Sequence, residues 1–253
     1  MPDAVNDRTL ATTTRPGLSP PAGRTRLLAL PQVPHWVLLG TILASAVVVL
    51  GLTVQLVPGV SMDELGVDQS LSQHHVALLT GVAMALNLLF GPVAGLLAIA
   101  VIAAFLLLVR RAPVNAVAFA VMAGSGWVAS EIFKVLVKRQ RPDAALLFDP
   151  LAPESGTDSF PSGHVTFAVT IAFAMYLLAR GTLWAKFTAV SGAVVVALVA
   201  WSRLYIGVHY PSDVVGSLLA GAAAVVLLAG LWNRSAALAF RKASCRHFMH
   251  WPR

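Results

Sequence analysis

Residues 76–109, VALLTGVAMALNLLFGPVAGLLAIAVIAAFLLLV, carry no charged side chain over 34 positions. As one α-helix they would be about 51 Å long at ~1.5 Å per residue, against a bilayer hydrocarbon core of ~30 Å. The stretch must therefore be broken, and Gly91-Pro92 is the place, because proline removes a backbone donor and clashes with the preceding turn. Residues 76–90 are then too short to span and are expected to lie at the membrane interface, with Pro92 to Val109 as a full span.

Working outward, the apolar runs Trp36 to Val57, Val114 to Val137, Gly163 to Ala179, Phe187 to Ile206 and Pro211 to Trp232 supply five more spans. The expected fold is all-α: a polytopic membrane protein of six transmembrane helices with an interfacial helix after the first span. Residues 1–34, polar and rich in Pro, Thr and Arg, are expected to be a disordered cytoplasmic tail. Residues 35–232 form the membrane domain, and residues 233–253 a basic cytoplasmic tail.

Composition agrees. Apolar residues make up 57% and charged residues 11% of the 253-residue chain, against roughly 45–50% and 25% in soluble domains. That argues against a soluble enzyme, and the single cysteine, Cys245, excludes an internal disulfide scaffold. The net charge of +7 suits cytoplasmic loops of a membrane protein better than nucleic acid binding. With the N-terminus inside, 13 of the 18 Lys and Arg fall on inner segments. A seven-span chain would put Arg110, Arg111, Arg180 and Lys186 outside, which favours six. Both termini are then cytoplasmic, in a multi-pass protein of the cell membrane.

The five exceptions are Lys134, Lys138, Arg139, Arg141 and Arg203, at the outer ends of spans three and five or just beyond. Snorkelling to headgroup phosphates accounts for basic residues at span ends, and that reading stays open for Lys138 and Arg139. The other three meet unusual company. Spans three and five end, and spans four and six begin, on the same outer surface. There the chain reads Lys134-x6-Arg141-Pro142, Pro161-Ser162-Gly163-His164 and Ser202-Arg203-x5-His209-x3-Asp213.

Three cations around one cavity call for a polyanion, and arginine forks bind phosphoryl oxygens bidentately. Gly163 lets the backbone approach closely, and the free N–H groups at that helix start add partial positive charge. His209 and Asp213, four apart, can hydrogen-bond if the first turn is helical, fixing the imidazole tautomer and presenting the other nitrogen as a nucleophile. His164 remains as general acid and base. The chemistry is two-step phosphoryl transfer, with Lys134, Arg141, Arg203 and the span-four amides holding the equatorial oxygens. Two histidines and a carboxylate could instead ligate a metal, but three neighbouring cations oppose a dication, so no metal or other cofactor is expected.

These three blocks, with Ser159-Phe160 before the second and Gly207-Val208-His209-Tyr210-Pro211 in the third, resemble the signature of the type 2 phosphatidic acid phosphatase superfamily, which includes vanadium haloperoxidases. The resemblance covers about residues 70–230. It implies a six-helix membrane fold with an outward-facing, metal-independent phosphatase site. It also implies His209 as nucleophile, Asp213 as its orienting acid, His164 as acid/base, and Ser162 and Gly163 as further phosphate contacts. The implied substrate is a lipid phosphate: undecaprenyl diphosphate, phosphatidic acid, phosphatidylglycerol phosphate or a phosphorylated glycolipid. Lys138 and Arg139 could hold a second phosphate of a polyprenyl diphosphate. A phosphotransferase using the same phosphohistidine, or a non-catalytic lipid-binding or transport protein, are the alternatives. No obligatory protein partner is implied.

Other features have plainer readings. His74 and His75 are expected to be solvated in an outer loop, and Cys245, His247 and His250 to belong to an interfacial basic tail. Trp36, Trp184 and Trp232 fit interfacial anchors on the inner side.

Overall fold

A computed structural model of the protein describes residues 26–248, with side chains described through residue 235. The expected break is present: α3 (Ala77–Leu89) ends before Gly91, and α4 (Pro92–Ala104) opens with Pro92 in its first turn, where a missing N–H costs nothing. A π turn, Phe105–Val109, continues α4. Around this pair stand α1 (Trp36–Leu56), α2 (Val60–Ser72), α5 (Pro113–Val137), α6 (Gly163–Ala179), α7 (Ala185–Ile206) and α8 (Pro211–Phe248). No strand occurs among the described residues.

Five helical segments are long and apolar enough to cross a membrane: Trp36–Leu56, Pro92–Val109, Pro113–Val137, Ala185–Ile206 and Pro211–Ser235. The expected fourth span, α6, has only 17 residues, about 26 Å at ~1.5 Å per residue. It is the central helix of the bundle. Val165, Phe167, Ala168, Ala174 and Leu177 are buried, because α6 packs against α5, α7 and α8. The lipid-facing apolar surface lies on outer helices, where Leu38, Leu78, Val93, Val101 and Leu108 are exposed, as expected of side chains whose solvent is hydrocarbon.

Two departures from the sequence reading matter. Residues 58–73, for which no element was expected, contain helix α2, whose Leu65, Asp68 and Ser72 are buried. Residues 26–34, expected within the polar tail, pack on the bundle. Leu27 and Leu30 are buried, the Leu27 N–H donates to Asn115 Oδ1 at 2.9 Å, and Trp232 Nε1 donates to the Leu27 carbonyl at 3.0 Å. Trp232 is thus partly an internal anchor, while Trp184 is exposed. Helix α8 runs past Trp232 to Phe248 without a break. Residues 1–25 and the side chains of Cys245, His247 and His250 lie outside the described part.

Helix ends are set by local chemistry. Gly207 ends α7 at φ 79°, a left-handed conformation that glycine adopts without Cβ strain, and Leu147 fills the space where a Cβ would stand. Gly126 lets α5 approach the Thr166 carbonyl and Thr170 of α6. Trp127 and Phe167 stack across the same contact with centroids 4.0 Å apart. These contacts bring the C-termini of α5 and α7 and the N-termini of α6 and α8 to one end of the bundle, with α2 and α3 beside them. Residues 26–34 lie at the opposite end.

Candidate active site

His209 sits in the short link between α7 and α8 and is 1% exposed. Its Nδ1 lies 3.4 Å from Asp213 Oδ2, and its Nε2 lies 3.4 Å from Arg141 Nη1. A guanidinium can only donate and an ionised carboxylate can only accept, so both neighbours select the tautomer with the proton on Nδ1 and the lone pair on Nε2. Burial, opposed by the hydrogen bond to Asp213 and reinforced by the Arg203 charge, pushes the imidazole down to about 4. At neutral pH the ring is uncharged and its free nitrogen faces Arg141.

The three expected phosphate cations converge. Arg141 pairs bidentately with Asp158, Nε–Oδ1 at 2.8 Å and Nη2–Oδ2 at 3.1 Å. Glu154 bridges Arg141 Nη1 at 2.7 Å and Arg203 Nη2 at 3.0 Å. Lys134 Nζ lies 2.9 Å from Glu131 and 3.8 Å from Asp158. Arg203 is fully buried and also donates to Asn87 Oδ1. The Arg141 guanidinium, ahead of burial, holds Asp158 down to about 2, so that acid is a carboxylate throughout the physiological range.

His164, on the first turn of α6, places Nε2 3.1 Å from the Asn87 carbonyl. A carbonyl only accepts, so this nitrogen carries the proton. Ser162 is the N-cap residue of α6 but makes no side-chain cap; its Oγ is buried without a partner among the described residues. A Cβ at Gly163 would stand 3.8 Å from Lys134 Nζ, so the glycine leaves the ground between that cation and the helix N-terminus clear. All eight expected site residues therefore stand at the same end of the bundle.

Several contributors were not foreseen. Asn87, Glu154 and Asp158 hold the cations and His164, while Ser159 Oγ donates to Asp213 Oδ2 at 2.5 Å. Arg139, expected to snorkel or to hold a second phosphate, is 1% exposed, with its terminal nitrogens committed to Asp213, Ser212, Ser61 and Glu64. It cannot reach a ligand, whereas its neighbour Lys138 is exposed. His75 is likewise not solvated: Nδ1 pairs with Asp149 and Nε2 meets the Tyr205 carbonyl, each at 2.8 Å. The available signal for the α2 contribution was the spacing of Ser61, Glu64 and Asp68, which puts polar groups on one helical face.

Asp68 is buried with neither oxygen partnered among the described residues. Burial first, then repulsion from Asp213 and Glu64, raises it to about 8. Its folded form keeps a proton that the unfolded chain has released, so it erodes stability as pH rises from the ordinary carboxylate range to about 8. Asp68→Asn should therefore melt progressively above wild type between pH 6 and pH 8.5, by ~2–4 °C at the upper end if the gain reaches about 1 kcal/mol. Thermal melts in detergent at the two pH values check this; a gap that narrows with pH would contradict it.

An apolar helix bundle with a buried imidazole between a carboxylate and an arginine defines a membrane protein with a histidine-bearing, charge-lined site at one end. Residues 114–236 match the family model described as the PAP2 superfamily. YbjG of Escherichia coli (strain K12), whose name assigns it provisionally as an undecaprenyl-diphosphatase, is 36% identical over 109 residues, covering 42% of this chain and 49% of the relative. Undecaprenyl-diphosphatase BcrC of Bacillus subtilis (strain 168) is 33% identical over 95 residues, covering 38% and 46%. The aligned chain spans about half the length of these curated relatives. Among solved structures, the transmembrane PAP2-type phosphatidylglycerolphosphate phosphatase from Bacillus subtilis superposes with a TM-score of 0.61 at 25% identity, covering 78% of this chain and 93% of that one.

Proposed function

We propose that this chain is an integral-membrane lipid phosphatase acting through a phosphohistidine. The observation that carries the reading is the setting of His209: Asp213 at Nδ1, Arg141 at Nε2, and three cations drawn together around two carboxylates. Nε2 attacks phosphorus in line as the bond to the lipid oxygen breaks, and His164, entering the step as the imidazolium beside the bound phosphate, gives that oxygen a proton and becomes neutral. Water then attacks the phosphohistidine, its proton passing to His164, and phosphate leaves with His209 restored. Lys134, Arg141, Arg203 and the amides at Ser162 and Gly163 hold the equatorial oxygens, and fixed donors of this kind supply most of the rate enhancement in such chemistry. Glu154 and Asp158 must yield part of their hold on the cations when phosphate binds. The guanidinium 3.4 Å from Nε2 would repel a dication, which supports a metal-free reaction.

The names of the relatives support a polyprenyl diphosphate or phosphatidylglycerol phosphate as substrate. We place the site at the outer membrane face, with α6 as the fourth of six spans, α3 near the interface and both termini cytoplasmic, on the distribution of basic residues.

The test is phosphate release by detergent-purified protein from a panel of lipid monophosphates and diphosphates with chelator present. Release from at least one lipid, undiminished by chelator and without an added acceptor, is expected. Loss of activity in chelator, or release only when an acceptor alcohol is supplied, would replace this reading with a metal enzyme or a phosphotransferase.

A further inference from the structure

Asp213 is the residue through which His209 is oriented, and it is itself completely buried. Its Oδ2 serves three donors: Ser159 Oγ at 2.5 Å, the Tyr210 N–H at 3.0 Å and His209 Nδ1 at 3.4 Å. Its Oδ1 meets Arg139 Nη1 at 2.6 Å. Arg139 is held from the far side by Glu64 Oε2 at 2.6 Å and Ser61 Oγ at 3.1 Å, both on α2. The Tyr210 ring lies 4.1 Å from its guanidinium carbon, and Glu64 Oε1 accepts the Ser212 N–H at 3.1 Å. Helix α2 is thereby joined to the first turn of α8 both through Arg139 and directly, Glu64 accepting from Ser212.

We infer that Arg139, anchored by Glu64, is a positioning residue for the candidate reaction: it clamps Asp213 Oδ1 so that Oδ2 stays aimed at His209. A buried charge-assisted pair at 2.6 Å fixes a carboxylate far more tightly than the 3.4 Å contact to the imidazole could. Without it Oδ1 loses its anchor and the carboxylate rests only on Ser159 and the Tyr210 N–H at Oδ2, so the tautomer selection at His209 would loosen. Arg139 acts only through Asp213, since its terminal nitrogens are spent on protein groups and it lies behind the carboxylate. The inference rests on the reading of His209 as the reacting group.

The surroundings decide what a titration should show. His209 feels cations from three elements: Arg139 and Arg141 from the segment after α5, Lys134 from α5, and Arg203 from α7. His164 of α6 is a neighbouring imidazole. The opposing groups are Asp213 itself, Glu64 and Asp68 of α2, and Glu154 and Asp158 of the 138–162 segment. Tyr210 is the remaining ionisable neighbour. Removing Arg139 leaves Glu64 and Asp213 without their shared cation, so the His209 ring should take up a proton at higher pH.

The experiment follows the His209 ring by 15N NMR in full-length, histidine-labelled protein in detergent, assigned against His209→Ala. Wild type, Arg139→Gln and Arg139→Lys are titrated, and phosphate release is measured on the same samples. The expected result is a His209 midpoint at least one pH unit higher in Arg139→Gln, with a smaller shift in Arg139→Lys, which keeps the charge and loses the fork. Turnover should fall about 10-fold to 100-fold in Arg139→Gln, KM staying within about twofold and Arg139→Lys partly restoring the rate, because the residue positions rather than binds. An unmoved midpoint in the folded variants overturns the inference, as does a rise of KM confined to diphosphate substrates. If Arg139→Gln does not fold, Arg139→Lys carries the titration alone. Absence of phosphate release in wild type would sink the phosphatase reading, while the titration would still decide whether Arg139 sets the state of His209.

Discussion

Replacing His209 by alanine is expected to reduce phosphate release by on the order of 10⁴-fold or more, because no other group can take over a covalent nucleophile's place. The protein should still fold. Asp213 keeps Arg139, Ser159 and the Tyr210 N–H as partners, and Arg141 keeps Glu154 and Asp158. The space left is small and lined by polar groups. Wild type incubated with radiolabelled substrate and quenched in alkaline detergent should carry base-stable, acid-labile label, and His209→Ala none. Activity within about tenfold of wild type would remove His209 from the mechanism. The pH dependence adds a second check. A ring held down to about 4 is unprotonated well below the ordinary histidine range, so any acid limb of kcat/KM due to His209 should lie near pH 4 and not near 6.5. The same depression makes the folded state bind fewer protons than the unfolded chain between those values. This contribution to stability is therefore present above about pH 6.5 and lost as pH falls toward 4.

Arg203→Met should lower kcat/KM by about 10²–10³-fold, the scale of losing one preorganised donor to a developing oxyanion. Arg203 is completely buried, yet its partner Glu154 is 34% exposed. The freed carboxylate can turn to water, and the methionine keeps most of the packed stem, so the loss should be catalytic more than structural. Arg203→Lys should recover only part of the rate, since a point charge cannot hold two oxygens in a fork. Binding of orthovanadate to the three proteins separates the steps: affinity should fall in Arg203→Met together with rate. Equal vanadate affinity across all three would mean that Arg203 serves the fold and not the phosphate.

How far these residues could be read in advance depended on spacing. His209 and Asp213 are four apart at a helix start, Lys134 and Arg141 flank a helix end, and Pro161 to His164 open another helix. Local periodicity alone makes each of these blocks coherent. Arg139 shows where such reading stops. It lies two residues from Arg141 in the same basic run, and nothing local distinguishes an arginine that faces the anion site from one that faces away. The left-handed turn at Lys138, φ 55°, and the docking of α2 decide it. Glu154, Asp158 and Asn87 likewise belong to segments whose path is set by packing, and His75 was misread because Asp149 and Tyr205 are far from it in the chain.

From sequence alone came the membrane class, the broken stretch at Gly91-Pro92, the α6 and α7 termini within two residues, and the groups at the site. Each follows from short-range rules: hydrophobic length, the missing proline N–H and the 3.6-residue turn. Tertiary structure decided which cation faces the imidazole, which one stands behind the aspartate, and that α2 and residues 26–34 belong to the packed body. Those outcomes depend on contacts between residues tens to hundreds of positions apart. Buried charges must find partners wherever the fold brings them, and no local pattern records which partners those will be.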